Sequence, residues 1–221
     1  MKDDFDIGFM PGKTRDVFMK LNTAKFISQF SLVGGTALSV QIRHRLSEDL
    51  DFIYDGEELN SNLIKRNIGK LFPGYRIIRQ DHNWQVDLLI DEVKLSFFST
   101  GAVSVPFNVR SYSFSVGQIN IAVTKAIAAL KFSAIAQRNT IRDYYDLYCL
   151  SKYHFSLLEL IEFTRKTVPG LSPVTYTETL IYTRDIDENS ISSHLSPAEN
   201  IDKHQIADFF SAELIKIREQ I

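Results

Sequence analysis

Cysteine is almost absent. The single thiol among 221 residues, Cys149, cannot close an intrachain disulfide, which excludes a disulfide-stapled secreted scaffold and fits a reducing compartment. Its apolar setting in DLYCL reads as that of a small core side chain. The histidines, His44, His82, His154, His194 and His204, are scattered without zinc-ligand spacing, and there is no GxSxG-type nucleophile motif. Internal repeats and low-complexity tracts are missing too. No run approaches the roughly 18 uninterrupted apolar residues of a membrane helix, and MKDDFDIGF carries no apolar signal core, so a cytoplasmic location away from membranes is expected. Nor does either charge dominate: 25 basic against 27 acidic residues leave a formal net charge of -2. That removes a global electrostatic case for coating nucleic acid and leaves only a local patch.

What is present is ample core material, 44% hydrophobic and 12% aromatic. Helical spacing of Val17, Phe18, Leu21, Phe26 and Ile27 predicts a helix over 13–29, followed by a short strand over 30–33 that two glycines break. A helix over 36–43, a strand over 50–54 and a helix over 58–72 follow, the last stopped by Pro73 and Gly74. Strands are expected over 75–79, 84–90 and 93–99, with a further pair over 109–114 and 118–121. The text then turns helical: 122–137, 140–152, 157–166 and 204–221, with a polar connector over 182–203. The fold class is therefore α+β, with residues 1–121 forming a domain around a small mixed sheet and residues 122–221 a helical domain.

The chemistry concentrates in LVGGTALSVQIRHRLSEDLDFI, residues 32–53. A strand ending in Gly34 and Gly35 and opening a helix at Thr36 lets backbone N–H groups approach an anion closely, with the helix N-terminus adding partial positive charge. The same pattern also serves as an ordinary tight connection. Asp49 and Asp51, two apart in a predicted strand, leave one face with roots roughly 6 to 7 Å apart. A divalent cation relieves their repulsion, and oxygen ligands suit Mg²⁺, with Mn²⁺ as the alternative. The competing reading is two solvated acids. Arg43, His44, Arg45 and Ser47, just upstream, offer cationic and hydroxyl contacts for phosphate or ribose, or else form a charged helix end.

In the helical half, Lys131 shares a face with Ile127 and Ile135, so its ammonium must snorkel out or meet an anion. A nucleoside triphosphate and a salt bridge to a nearby aspartate both satisfy it. Asp143 and Asp146 lie on the inward face of the next helix; Asp143 also fits the N3 position of a capping box opened by Thr140, and Arg142 could pair with Asp146. Lys65, Arg66, Lys70, Arg76 and Arg79 form the one evident basic cluster, which is either a binding patch or a solvated helix face.

These residues together resemble the AbiEii/AbiGii-type nucleotidyltransferase toxins. GGTAL at 34–38 and HRLSEDLDF at 44–52 are similar to two blocks of that family in order and spacing, AALKFSAIAQRNTIRDYYDLYCL at 128–150 to its lysine and RDxxDLxxL segments, and IYTRDIDEN at 181–189 to its acidic segment. The resemblance implies a polymerase-β-like domain, a Mg²⁺-dependent transfer of a nucleoside monophosphate from an NTP to an RNA acceptor such as the tRNA 3′ end, and a cognate antitoxin. It makes Asp49 and Asp51 metal ligands and places Gly34, Gly35, Thr36, Arg45, Ser47 and Lys131 at the nucleotide. Asp143 becomes a base or substrate-orienting group beside Lys131. The chain departs from the family at Arg43, where glycine is usual, at Ala126, where many members carry Asp, and at Ser96, the position of a third carboxylate. Either Ser96 with water or Asp87 then completes the metal sphere. The alternatives are transfer to a small molecule or a protein side chain, and a catalytically silent module of the same fold.

Overall fold

The computed structural model describes residues 5–101, 107–168, 170, 172–193 and 196–219. The chain divides into two compact units, Met1–Val123 and Thr124–Ile221.

The first unit is built on a seven-stranded mixed sheet in the order β3-β4-β5-β2-β1-β7-β6. Its strands are β1 (Ser31–Val33), β2 (Leu50–Tyr54), β3 (Arg76–Asp81), β4 (Gln85–Ile90), β5 (Val93–Ser99), β6 (Ser113–Val116) and β7 (Ile119–Ala122). Central β1 runs antiparallel to β2 and parallel to β7, while β2 runs parallel to β5. Strict alternation on β2 sends Leu50 and Phe52 into the core, where Phe52 stacks on its register partner Phe97 with ring centroids 5.4 Å apart. Phe30 completes this aromatic cluster against Phe97. Asp51, between them, necessarily faces the other way.

Helices α1 (Gly12–Leu21), α2 (Gly34–Ile42) and α3 (Ser61–Leu71) accompany the sheet. The single helix expected over 13–29 is two elements: α1 stops at Leu21, and a 3₁₀ turn covers Lys25–Gln29. A tertiary contact overrides the periodicity. The Asn22 side-chain oxygen accepts from the backbone N–H groups of Gln118 (2.7 Å) and Ile119 (3.2 Å) at the β6–β7 turn, so Asn22 leaves the helix. Gly117, at φ 62°, makes room for it, because a Cβ there would come within 2.6 Å of the Asn22 amide. The strand expected from Val109 likewise begins as a 3₁₀ turn, Val109–Tyr112, held by Asp55 accepting from the N–H groups of Val109 and Arg110.

The second unit contains α4 (Thr124–Ile135), α5 (Ile141–Tyr153), α6 (Leu157–Thr167), α7 (Pro173–Ile181) and α8 (Lys203–Glu219). Helix α4 is buried along most of its length and packs against α5, α6 and α7. A Ser156/Glu159 capping box starts α6. Helix α7 was not expected; its run of Val, Thr and Tyr disguises a helix whose start Pro173 signals at the first helical position. Tyr176 anchors it against Phe132, 5.0 Å between centroids. The end of α8 expected at 220–221 lies outside the described residues. No helix among the described residues is long and apolar enough to cross a membrane.

Candidate active site

The direct junction of β1 with α2 brings two glycines against the acidic strand. Gly34 opens α2 with φ 72°, a conformation that side chains rarely adopt, and a Cβ there would lie 2.7 Å from Asp51 Oδ2. A Cβ on Gly35 would lie 2.7 Å from Arg45 Nη2 and 2.8 Å from Ser47 Oγ. The bare backbone of these residues therefore lets a carboxylate, a guanidinium and a hydroxyl converge on the start of a helix whose N-terminal amides favour anions. Arg45 and Ser47 are both buried, and Arg45 Nη1 also donates to Leu46 O at 3.0 Å.

The acidic segment is fixed by its backbone. Thr14 Oγ1 donates to Glu48 O at 2.8 Å, and Thr36 Oγ1 donates to Asp49 O. Thr36 thus acts through its side chain on the metal-ligand candidate as well as through its place in the helix. Asp49 immediately precedes β2, and both acids remain partly exposed. Arg43 caps α2 in the left-handed region at φ 53°, which gives the family's preference for glycine there a geometric cause; its Nε meets Asp6 Oδ2 at 3.2 Å.

Register sorts the third-ligand candidates. Asp51 pairs with Ser96 across β2–β5, and Ser96 with Asp87 across β5–β4, so all three share one face in one row. Ser96 Oγ, fully buried beside Asp51, has no hydrogen-bond partner among the described residues. Asp87 stands two strands, about 10 Å, from Asp51. Its carboxylate is engaged by Gln85 Nε2 at 3.0 and 3.1 Å and by Lys94 Nζ at 3.7 Å. Two carboxylates and an orphaned hydroxyl are hard oxygen donors that fit a divalent cation such as Mg²⁺, which characteristically retains waters and substrate phosphate oxygens. No group of three His, Cys, Asp or Glu among the described residues is arranged to hold a metal by itself.

In the helical unit, Lys131 is buried, with Nζ 2.5 Å from Asp143 Oδ1 and 2.6 Å from Asp146 Oδ2. Arg138 Nε and Thr140 Oγ1 also reach Asp143 Oδ2, at 2.8 and 2.7 Å. Burial pushes the Asp143 carboxyl up, but the Lys131 ammonium and Arg138 guanidinium outweigh it and hold the group at about 2, against its ordinary 3.8. Thr140 is the N-cap of α5, yet its hydroxyl donates to the Asp143 carboxylate and makes no side-chain cap bond, so the expected capping box does not form. Arg142 is exposed, and Asp146 is held by Lys131. The basic cluster also divides. Arg79 pairs in register with Asp87 and lies on the carboxylate face, whereas Lys65 donates to Gln80, whose partner Val86 belongs to the apolar face.

Residues 16–216 match the family described as nucleotidyl transferase AbiEii toxin of a type IV toxin–antitoxin system. The chain belongs to the AbiEii family. An uncharacterised Aquifex aeolicus protein, aq_aa25, is 30% identical over 200 residues, spanning 88% of this chain and 95% of that protein. The solved structure of Helicobacter pylori JHP933 has a TM-score of 0.53 at 18% identity and 96% coverage of both chains. MenT4, a nucleotidyltransferase toxin of Mycobacterium tuberculosis, has a TM-score of 0.51 at 14% identity, covering 93% of this chain and 86% of MenT4. At such identities these likenesses speak for the fold, and the AbiEii match carries the activity. The protein is a nucleotidyltransferase with an NTP substrate and, as a type IV toxin, an antitoxin partner.

Proposed function

We propose that this AbiEii protein is a Mg²⁺-dependent toxin that transfers a nucleoside monophosphate from an NTP to an RNA hydroxyl such as that of a tRNA 3′ end. The observation that carries the reading is the close approach of Asp51 to Gly34, where a Cβ would lie 2.7 Å from Oδ2, which brings a carboxylate to the anion-favouring start of α2. A metal held by Asp49, Asp51 and the Ser96 hydroxyl would supply charge neutralisation at the transferring phosphoryl group. The amides of Gly34, Gly35 and Thr36 receive the triphosphate, with Arg45 and Ser47 donating to its oxygens. Thr14 and Thr36, by holding the carbonyls of Glu48 and Asp49, fix the backbone that leads into β2. Lys131 and Asp143, which the family resemblance associates with the nucleotide and the acceptor, are paired with each other inside the helical unit at 2.5 Å. The acceptor oxygen bonds to the α-phosphorus, the bond to the β-phosphate bridging oxygen breaks, pyrophosphate leaves, and the hydroxyl proton passes to a carboxylate or water. Catalysis on this reading is positioning and electrostatics.

The test is incubation of purified protein with each labelled NTP, Mg²⁺ and total tRNA, alongside Asp51→Ala. Label on tRNA with the wild type alone is expected. Label on a small molecule or protein instead would replace the RNA acceptor, and no Mg²⁺-dependent NTP binding would overturn the catalytic reading.

A further inference from the structure

We propose that the protein self-associates as a two-fold dimer through the free edge of β3, the β3 strand of one copy pairing antiparallel with that of a second. This does not depend on the reaction. Strand β3 ends the sheet, and all its residues except Asp81 are exposed. Its hairpin holds three large apolar side chains in solvent: Ile77 at 49%, Ile78 at 54% and Trp84 at 50% exposure. An edge with open backbone groups and apolar side chains is a template for another strand, and proteins ordinarily block it with charge. Here the charges complement themselves.

The register with β4 fixes which face each residue occupies. Arg76 pairs with Leu89 and Ile77 with Leu88, but Arg79 pairs with Asp87, so Ile78 is an extra residue. That irregularity puts Arg76, Arg79 and Asp81 on the face of Asp87, and Ile77 and Gln80 on the face of Leu88 and Val86. Reading RIIRQD antiparallel against itself, one register opposes Arg76 to Asp81 of the second copy and Ile77 to its Gln80, each pair on a common face. A slip of one residue opposes Ile77 to Arg79 or to Asp81, which lie on opposite faces. A slip of two in one direction sets Arg76 against Arg79, two like charges; in the other it sets Arg79 against Gln80, again on opposite faces. A slip of three opposes Arg79 to Asp81 and Gln80 to itself on common faces but overlaps only residues 79–81, so the first register, with the extra residue Ile78 opposite Arg79 at the axis, is the one that satisfies face and charge at both ends of the full strand. It is isologous, so the Arg76–Asp81 pair occurs twice, each joined by the in-chain contact of Arg79 Nη2 with Asp81 Oδ2 at 3.2 Å. A two-fold axis normal to the sheet leaves the carboxylate faces of both copies on the same side.

Sedimentation of the full chain from micromolar to near-millimolar concentration tests this, with Arg76→Asp, Asp81→Arg and the double exchange. Twice the chain mass is expected for wild type, at least about tenfold weaker association for each single reversal, and recovery in the double variant. Melting temperatures separate lost pairing from lost folding. Should Asp81→Arg fail to fold, Ile78→Lys, which alters a side chain exposed in the single copy, serves with Arg76→Asp and must also give monomer. A wild type that stays monomeric, a dimer indifferent to the reversals, or a double variant that remains monomeric would each overturn the proposal.

Discussion

Replacing Lys131 by Met keeps the stem and removes the ammonium that lies 2.5 and 2.6 Å from two buried carboxylates. Breaking one side of a buried pair costs about 3 to 5 kcal/mol, because the remaining charge keeps its desolvation penalty. At about 2 to 4 °C per kcal/mol for a chain of this length, the apo melting temperature should fall by about 6 to 20 °C. Acid behaviour changes as well. Asp143 has a folded pKa of about 2 against 3.8, so its contribution, about 2 kcal/mol, is present above pH 3.8 and lost as pH falls through 2. Without Lys131 the burial effect gains on the attraction, the folded pKa rises, and the variant should begin to unfold at higher pH than wild type. Circular dichroism melts between pH 2 and 7 measure both effects. Adding Asp146→Asn removes the second charge and should restore part of the lost stability. A fall below about 2 °C, or a double variant as unstable as the sum of the singles, would refute a structural ion triad. Loss of NTP-induced stabilisation beyond the apo change isolates the phosphate role.

Three further substitutions test the site and its frame. Asp51→Ala should abolish Mg²⁺-stimulated transfer without lowering the melting temperature, and expression without antitoxin should slow growth for wild type but not for this variant; equal growth inhibition would separate toxicity from catalysis. Gly35→Ala, whose methyl would displace Arg45 and Ser47, should reduce turnover at least about tenfold, or about 1.4 kcal/mol, and wild-type kinetics would remove these two side chains from the nucleotide site. Arg43→Gly should raise stability by up to about 1 kcal/mol, read from urea denaturation, by relieving the left-handed cap at the loss of the exposed Asp6 contact; clear destabilisation would show that the ion pair outweighs the backbone.

Much of this was legible in the sequence because the signals were local. Alternation fixed the orientation of Asp51 relative to Leu50 and Phe52, and the Gly-Gly pair announced a backbone approach that the contacts with Asp51, Arg45 and Ser47 make concrete. Most of the order of strands and helices followed from periodicity, but α7, whose Val, Thr and Tyr disguise it, did not. What periodicity could not carry was long-range: Asn22 leaves its helix for partners 96 and 97 residues away. Spacing offered a capping box at Thr140, but a buried cation twelve residues upstream drew Asp143 into an ion cluster instead. The division of the basic cluster across two faces was equally hidden, since it depends on one extra residue in β3.

Central β1 takes its neighbours from very different distances along the chain, β2 some twenty residues on and β7 about ninety. During synthesis the glycine loop and the acidic strand emerge early, but β1 is flanked on one side only until Ile119–Ala122 leave the ribosome, and the Asn22 latch closes at the same moment. Loop closure of that length comes late, after its entropy has been paid. A nascent or truncated toxin ending before residue 119 would carry Asp49 and Asp51 on an incomplete sheet, so the order of translation itself delays assembly of the domain that bears them until more than half the chain exists.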